Sequence, residues 1–438
     1  MKISVVGCGY LGAVHAAAMA DLGHDVVGID VDQAKIDALA AGRAPFFEPG
    51  LPEILTSASA SGRLSFSSDI VAASEATVHF IAVGTPQKPG SYSADMTYVD
   101  AALEALLPIL KPGDLVVGKS TVPVGTASRL AERVREVQPA ARLAWNPEFL
   151  REGFAVQDTI APDRLVYGVA SEADDAAASK AQLDEVYAKA LSEGTPLVVT
   201  DYATAELVKV SANAFLATKI SFINAIAEIA EVTGANITEL ADAIGFDARI
   251  GRRFLNAGVG FGGGCLPKDI RAFGARAEEL GRGESLAFLK EVDAINLRRR
   301  QRVVDLVVEM LGQHAFEKRV AVLGLAFKPD SDDIRDSPAL DVAVQLNGLG
   351  ALVSATDPEA IANARAKHPQ LHFVTAVEDA VRDAEIVVLL TEWTQYRALR
   401  PADIESLVSG KRIIDGRNVL DAAEWKAAGW DYRGMGRP

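Results

Sequence analysis

At 438 residues the chain is long enough for two to three domains, each with its own buried core. Its 59 acidic against 44 basic residues leave a net charge of -15, which repels a phosphate backbone and argues against nucleic acid as a partner. Two cysteines, Cys8 and Cys265, are a poor basis for a disulfide scaffold at this length. No apolar run of roughly 18 residues is evident, so no membrane partner is expected.

Met1-Lys2 runs straight into Ile3-Ser4-Val5-Val6, a short apolar strand, so no signal peptide and a cytoplasmic location are expected. Gly7-Cys8-Gly9-Tyr10-Leu11-Gly12 follows, then an alanine-rich helix over 11–21. Val26-Val27-Gly28-Ile29 is a second strand, ending at Asp30. This is the setting that gives G-x-G-x-x-G its meaning. Gly7 makes the tight turn, Gly9 lets a pyrophosphate approach the backbone, and Gly12 lets helix and strand pack closely. The phosphates would sit at the helix start, where Tyr10 and Leu11 lie. Asp30 would accept from ribose hydroxyls and repel a 2′-phosphate, so the expected cofactor is NAD rather than NADP. Cys8 and His15 read as packing residues.

Strands over 78–83 and 115–118 each end in a loop with small hydroxyl residues, Gly84-Thr85-Pro86 and Lys119-Ser120-Thr121-Val122-Pro123-Val124-Gly125-Thr126. Ligands of an open parallel sheet bind at the carboxyl ends of its strands, which puts Thr85 and Thr121 near a cofactor or a catalytic water. Turn and N-cap duty is the competing reading. A strand over 142–145 leads into Asn146-Pro147-Glu148-Phe149-Leu150-Arg151-Glu152-Gly153. Its two acids around an arginine fit either a functional loop or a surface turn with a local ion pair.

Residues 201–234 read as one long helix with Lys209 and Asn213 on one face, and a helix of this length is a candidate dimer interface. The run Gly260-Phe261-Gly262-Gly263-Gly264-Cys265-Leu266-Pro267-Lys268-Asp269 then sets a cysteine in a glycine-rich loop. A thiolate can add to an aldehyde, the hemithioacetal can lose a hydride to become a thioester, and water releases an acid. Lys209 or Lys268 would favour the thiolate. In isolation, a buried inert thiol is the alternative.

A strand over 320–323, then Gly324-Leu325-Ala326-Phe327-Lys328-Pro329-Asp330, a helix over 339–349 and a strand ending at Asp357 make a second β-α-β unit. It lacks G-x-G-x-x-G, so it suits the nucleotide part of a substrate better than a second dinucleotide. Strands over 386–390 and 412–414 follow, the latter leading into Asp415-Gly416-Arg417-Asn418. Residues 433–438 read as a mobile tail. The expected fold is α/β, with two Rossmann-like doubly wound domains joined by a long central helix. The expected division is 1–200 for NAD, 201–300 for a helical dimerisation region with the cysteine loop, and 301–438 for the nucleotide part of a substrate. No metal site is expected.

The fingerprint, Ser120 to Gly125, residues 146–153, the Cys265 loop and Phe327-Lys328 through Arg335 resemble, in this order, the UDP-sugar and GDP-sugar dehydrogenase family over nearly the whole chain. The resemblance implies that Cys265 is a covalent nucleophile and that Asp269 and Lys209 handle protons and charge at the reacting carbon. It implies that Thr121 and Glu148 attend the catalytic water, with Glu148 as base. Asn213 would contact the sugar, as would Phe149, Leu150 and Arg151 beside Glu148. Phe254, Gly262, Lys328 and Arg417 would hold the nucleotide, and Arg249 would reach a neighbouring subunit's site in a homodimer. Asp30, Lys35, Thr85, Glu152 and Arg335 would face the cofactor. Two positions depart from the family pattern: Gly264, where serine is commoner, and Ala161, where a basic residue is.

The activity implied is four-electron oxidation of UDP-glucose to UDP-glucuronate, a polysaccharide precursor. GDP-mannose or a UDP-N-acetylhexosamine is the alternative substrate. A two-electron dehydrogenase of the 3-hydroxyacid type would not need Cys265, and a sugar-nucleotide sensor would not need the acids and lysine.

Overall fold

Alternation of short β-branched runs with helices builds two separate sheets, parallel but for one pair of strands, seen here in a computed structural model that describes residues 1–437. The chain divides into two compact units. One comprises Met1–Ala212 with Ala275–Gly281, the other Asn213–Gly274 with Arg282–Pro438.

The first unit holds β1 (Lys2–Val6), β2 (Asp25–Ile29), β3 (Leu64–Ser67), β4 (Val78–Ile81), β5 (Leu115–Gly118), β6 (Arg142–Trp145), β7 (Leu165–Val169) and β8 (Leu197–Asp201). Their order is β3-β2-β1-β4-β5-β6-β7-β8. All neighbours are parallel except β6 and β7, which are antiparallel. The chain reverses direction across the sheet between β1 and β4, and a crevice for a ligand opens at such a switch point. Helix Tyr10–Asp21 packs an almost wholly buried alanine face, with Val14 and Met19, into the core beneath β1.

The second unit repeats the plan with β9 (Arg319–Leu323), β10 (Leu352–Thr356), β11 (His372–Phe373), β12 (Ile386–Leu389), β13 (Arg412–Asp415) and β14 (Asp431–Gly434). The order is β11-β10-β9-β12-β13-β14, all parallel. A single helix, Tyr202–Thr233, carries the chain from one sheet's unit into the other's. It is the one helix among the described residues long and apolar enough to cross a membrane by length and composition.

The C-terminal segment corrects the expectation of a mobile tail. Arg433 lies in β14, paired with β13, and Met435 is buried. Tyr432 Oη donates to Asp415 Oδ2 at 2.9 Å, and Met435 N donates to Asn418 Oδ1 at 2.9 Å. Pro438, also counted in that tail, lies outside the described residues. A short polar segment has no periodicity to betray it, whereas pairing with a buried strand fixes it. The strands β3, β7, β8 and β11 were likewise not singled out in the sequence.

Candidate active site

Contact shapes the glycine turn after β1. Gly7 has φ +95, and a Cβ on Gly12 would lie 1.7 Å from Gly7 O, so neither position takes a side chain. A Cβ on Gly9 would meet nothing within 4 Å, which leaves that backbone open to a ligand. Gly9 also caps helix Tyr10–Asp21 without a side-chain hydrogen bond, leaving the first N–H groups to an anion. Asp30 closes the turn: Oδ2 accepts from Cys8 N at 2.9 Å and Lys35 Nζ at 2.8 Å, and Oδ1 from Asp32 N at 3.0 Å. Open backbone, uncapped helix and strand-end acid together fit NAD. Burial, and then the charge of Asp30, push the Cys8 thiol up to about 12, so it is a neutral packing group.

The neighbouring loops are tied to this turn's sheet by long-range polar contacts. Thr85 Oγ1 donates to Thr121 O at 2.7 Å, bringing the two threonines together. Glu206 accepts from Gly125 N at 2.7 Å and Ala127 N at 2.6 Å, capping helix Thr126–Val137. Glu48 accepts from Gly153 N and Ala155 N, both at 2.7 Å, and from Tyr10 Oη, so it anchors the end of the 146–153 loop. Glu152 in that loop is buried.

Glu148 is held from three sides. Oε1 accepts from Phe149 N at 2.7 Å and Leu150 N at 2.9 Å, and Oε2 lies 3.0 Å from Lys119 Nζ. Phe149 carries two cations, with Arg164 Cζ 3.9 Å and Lys209 Nζ 5.5 Å from its ring centre. Arg151 is exposed and turned to Asp158, Nη2 to Oδ1 at 2.7 Å.

In the second unit the exposed Cys265 immediately precedes helix Leu266–Glu279, whose first turn closes through Asp269 N to Cys265 O at 2.9 Å. The positive end of that helix favours a thiolate at its start. Asp269 is buried, with Oδ2 accepting from Asn213 Nδ2 at 2.7 Å and Oδ1 2.7 Å from Lys268 Nζ. Asn296 pairs both backbone groups of Phe261: Phe261 N donates to Oδ1 at 2.7 Å, and Nδ2 donates to Phe261 O at 2.9 Å. Gly262 passes so close to its neighbour that a Cβ would lie 2.4 Å from Asp336 O. A Cβ on Gly264 would lie 2.4 Å from Arg335 Cζ, so the guanidinium occupies the space a serine would need.

Arg417 donates to Leu390 O at 2.7 Å, Gly260 O at 3.0 Å and Phe327 O at 3.1 Å, stitching three loops together. Lys328 Nζ lies 5.4 Å over the Phe327 ring. Phe254 has φ +66 and is exposed. The side chain of Arg249 is 89% exposed and pairs with Asp247. Asp357, at the end of β10, corresponds in topology to Asp30, yet protein donors surround it. Leu325 N, Ala326 N and Trp393 Nε1 donate to Oδ2, and Glu359 N and Ala360 N to Oδ1. Its carboxylate is thus spent on protein donors from its own loop and from the loops after β9 and β12. Among the described residues no group of three or more His, Cys, Asp or Glu side chains could hold a metal.

Sequence reasoning missed Glu48, Glu206, Asn296 and Lys119. The first three act on backbone groups 35 to 107 positions away, and no local pattern marks them. Lys119 did stand beside the Ser120-Thr121 motif, the one signal that could have drawn notice.

Two doubly wound sheets with an open glycine fingerprint on the first define an NAD-dependent oxidoreductase. The UDP-glucose/GDP-mannose dehydrogenase family models match in series: the NAD binding domain over residues 1–191, the central domain over 203–298 and the UDP binding domain over 321–422. The chain belongs to that family. It is 42% identical over 443 residues to UDP-glucose 6-dehydrogenase of Rhizobium meliloti, covering 100% of both chains. It is 40% identical to UDP-glucose 6-dehydrogenase TuaD of Bacillus subtilis, covering 100% of this chain and 93% of that one. A UDP-glucose dehydrogenase structure from Pyrobaculum islandicum matches with a TM-score of 0.90 at 40% identity, covering 100% and 98%. A UDP-D-ManNAc dehydrogenase from Pyrococcus horikoshii matches with 0.87 at 26% identity, covering 100% and 99%.

Proposed function

We propose that this chain oxidises UDP-glucose to UDP-glucuronate with two NAD and one water, using Cys265 as the covalent nucleophile. The observation that carries the reading is an exposed thiol at a helix start, in a loop pinned by Asn296 and Arg335, on a chain with an NAD fingerprint. Full-length identity of 42% to a UDP-glucose 6-dehydrogenase favours this sugar over GDP-mannose or a UDP-N-acetylhexosamine. In this reading residues 1–200 hold NAD, 201–300 carry the cysteine loop and dimer helix, and 301–438 hold the UDP moiety.

NAD, when bound, accepts one hydride in each of the two oxidations. Lys209 and Asp269 take up the hydroxyl proton and stabilise negative oxygen at sugar carbon 6, with Asn213 orienting Asp269. Cys265 Sγ adds to the aldehyde, and oxidation of the hemithioacetal leaves a thioester. Water then attacks the carbonyl carbon, its proton passing to Glu148, and the C–S bond breaks to return the Cys265 thiolate.

Phe215, Phe222 and Ile229 recur every seven residues and are exposed on helix Tyr202–Thr233, with Val232 beside them. An apolar stripe of this kind fits a second copy of the chain better than a membrane, and supports a homodimer in which Arg249 completes the neighbour's site. We place the enzyme in the cytoplasm, with NAD and nucleotide sugars.

NADH formed per UDP-glucose consumed tests the reading directly. Two per sugar is expected. One would stop the reaction at the aldehyde and remove the role of Cys265. None would move the search to the other nucleotide sugars.

A further inference from the structure

We infer that Lys119 is a positioning residue for thioester hydrolysis, holding the Glu148 carboxylate in place through a buried polar cluster that reaches Asn146 and Tyr187. The inference rests on the reading of Glu148 as the base that receives water's proton.

Lys119 is an unusual residue to find where it is. Its side chain is 4% exposed at the end of β5, under the first unit's core. Nζ donates to Asn146 Oδ1 at 3.0 Å and Tyr187 Oη at 3.1 Å, and lies 3.0 Å from Glu148 Oε2. All three ammonium protons are therefore used. Tyr187 Oη in turn donates to Asn146 Oδ1 at 2.6 Å, and Asn146 Nδ2 donates to Val166 O at 3.0 Å, fixing the amide. The rings of Phe80 and Tyr187 lie 5.8 and 5.7 Å from Nζ. Burial disfavours the ammonium, but Glu148 and Tyr187 outweigh it and hold the lysine protonated.

The surroundings leave Lys119 few other tasks. A recess lined by His15, Lys119, Glu148, Asp163, Arg164 and Tyr187 opens beside the pair. His15 is buried, its ring nitrogens lack protein partners, and burial followed by the charge of Lys119 keeps it neutral. Arg164 is stacked on Phe149. Lys119 is thus the cation in contact with Glu148. A buried ammonium removed from its partner is costly, so the contact between Lys119 and Glu148 is kept. The two backbone N–H groups fix Oε1 and Lys119 fixes Oε2, leaving one orientation of the carboxylate toward water. In the step concerned, water's oxygen bonds to the thioester carbon, its proton goes to Glu148 and Cys265 leaves as thiolate.

The test is Lys119→Met in the full-length enzyme with UDP-glucose and NAD. Steady turnover is expected to fall roughly 10²-fold, with an initial NADH burst and accumulation of an acyl-enzyme at Cys265 in the intact mass. Hydroxylamine, which attacks thioesters without a general base, is expected to restore NADH turnover. Tyr187→Phe, which keeps the lysine, should show a smaller effect in the same direction and carries the test if Lys119→Met does not fold. Slow turnover without acyl-enzyme, or undiminished turnover, overturns the inference. Glu148→Gln separates the two failures. If it accumulates acyl-enzyme and the Lys119 and Tyr187 variants do not, the positioning role alone falls. If it does not, the base assignment falls with it.

Discussion

Burial separates the two thiols of the chain. Cys265 is exposed at a helix start, whereas Cys8 is packed under the glycine turn and pushed up to about 12 from 9.0. Iodoacetamide should therefore label Cys265 alone in native protein and both thiols after denaturation, a difference read by peptide mass. Label at Cys8 in native protein would contradict the packing. The same shift has a sign for stability. Above about pH 9 the unfolded chain releases a proton that the folded chain keeps, so stability falls as pH rises from there toward 12. At pH 10 the loss is about 1.4 kcal/mol. Urea midpoints at pH 8 and 10 should show this slope in the native sequence and a shallower one in Cys8→Ala. Gly12 is a second position where one atom decides. A methyl there meets Gly7 O, so Gly12→Ala is expected to weaken NAD binding by roughly 10²-fold in a calorimetric titration.

The elements around the site are set by distant side chains acting on backbone. Asn296 treats Phe261 as a strand neighbour would, and Asn296→Ala leaves the buried Phe261 N–H unpaired, with Arg300 the remaining donor to its C=O, at a cost of about 1–3 kcal/mol. Because the loop leads to Cys265, turnover should fall more than affinity for UDP-glucose. Equal losses in kcat and kcat/KM would mark that effect, and a change in KM alone would refute it. Such contacts mark where the sequence stops being informative. β5 and β6 were legible to the residue, because a buried strand bounded by turn residues is a local signal. The fingerprint was legible because its glycine spacing, the strand before it and the helix after it are all local in the sequence. Glu48, Glu206 and Asn296 were not, since what each holds lies 35 or more positions away and depends on the finished fold. Arg417 shows the reverse case. Its position was legible, while its use on three carbonyls was not.

At the scale of the whole molecule, the second sheet repeats the order of the first six strands of the first sheet, and the loops after the first strand of each differ. In the first sheet Gly9 leaves room and Asp30 sits at the strand end; in the second Asp357 is consumed by five protein donors. In the reading proposed above, one plan serves a dinucleotide in the first unit and a different nucleotide ligand in the second. The exposed Phe215, Phe222 and Ile229 are where the proposed second copy of the chain would dock. Phe222→Asp would place a charge in the middle of that stripe and should give monomers in sedimentation. If Arg249 serves the partner's site, subunits defective at different positions must complement. Arg249→Ala and Cys265→Ala each abolish turnover alone. A mixed dimer contains one site with an intact Cys265 from one subunit and an intact Arg249 from the other. With equal amounts reassorting at random, half the dimers are mixed and one of their two sites works, so activity should return to about one quarter of the native level. Remixing the two inactive proteins after mild dissociation measures this. Failure to recover, with dimers reformed, would confine each site to one chain and leave Arg249 as the partner of Asp247 alone.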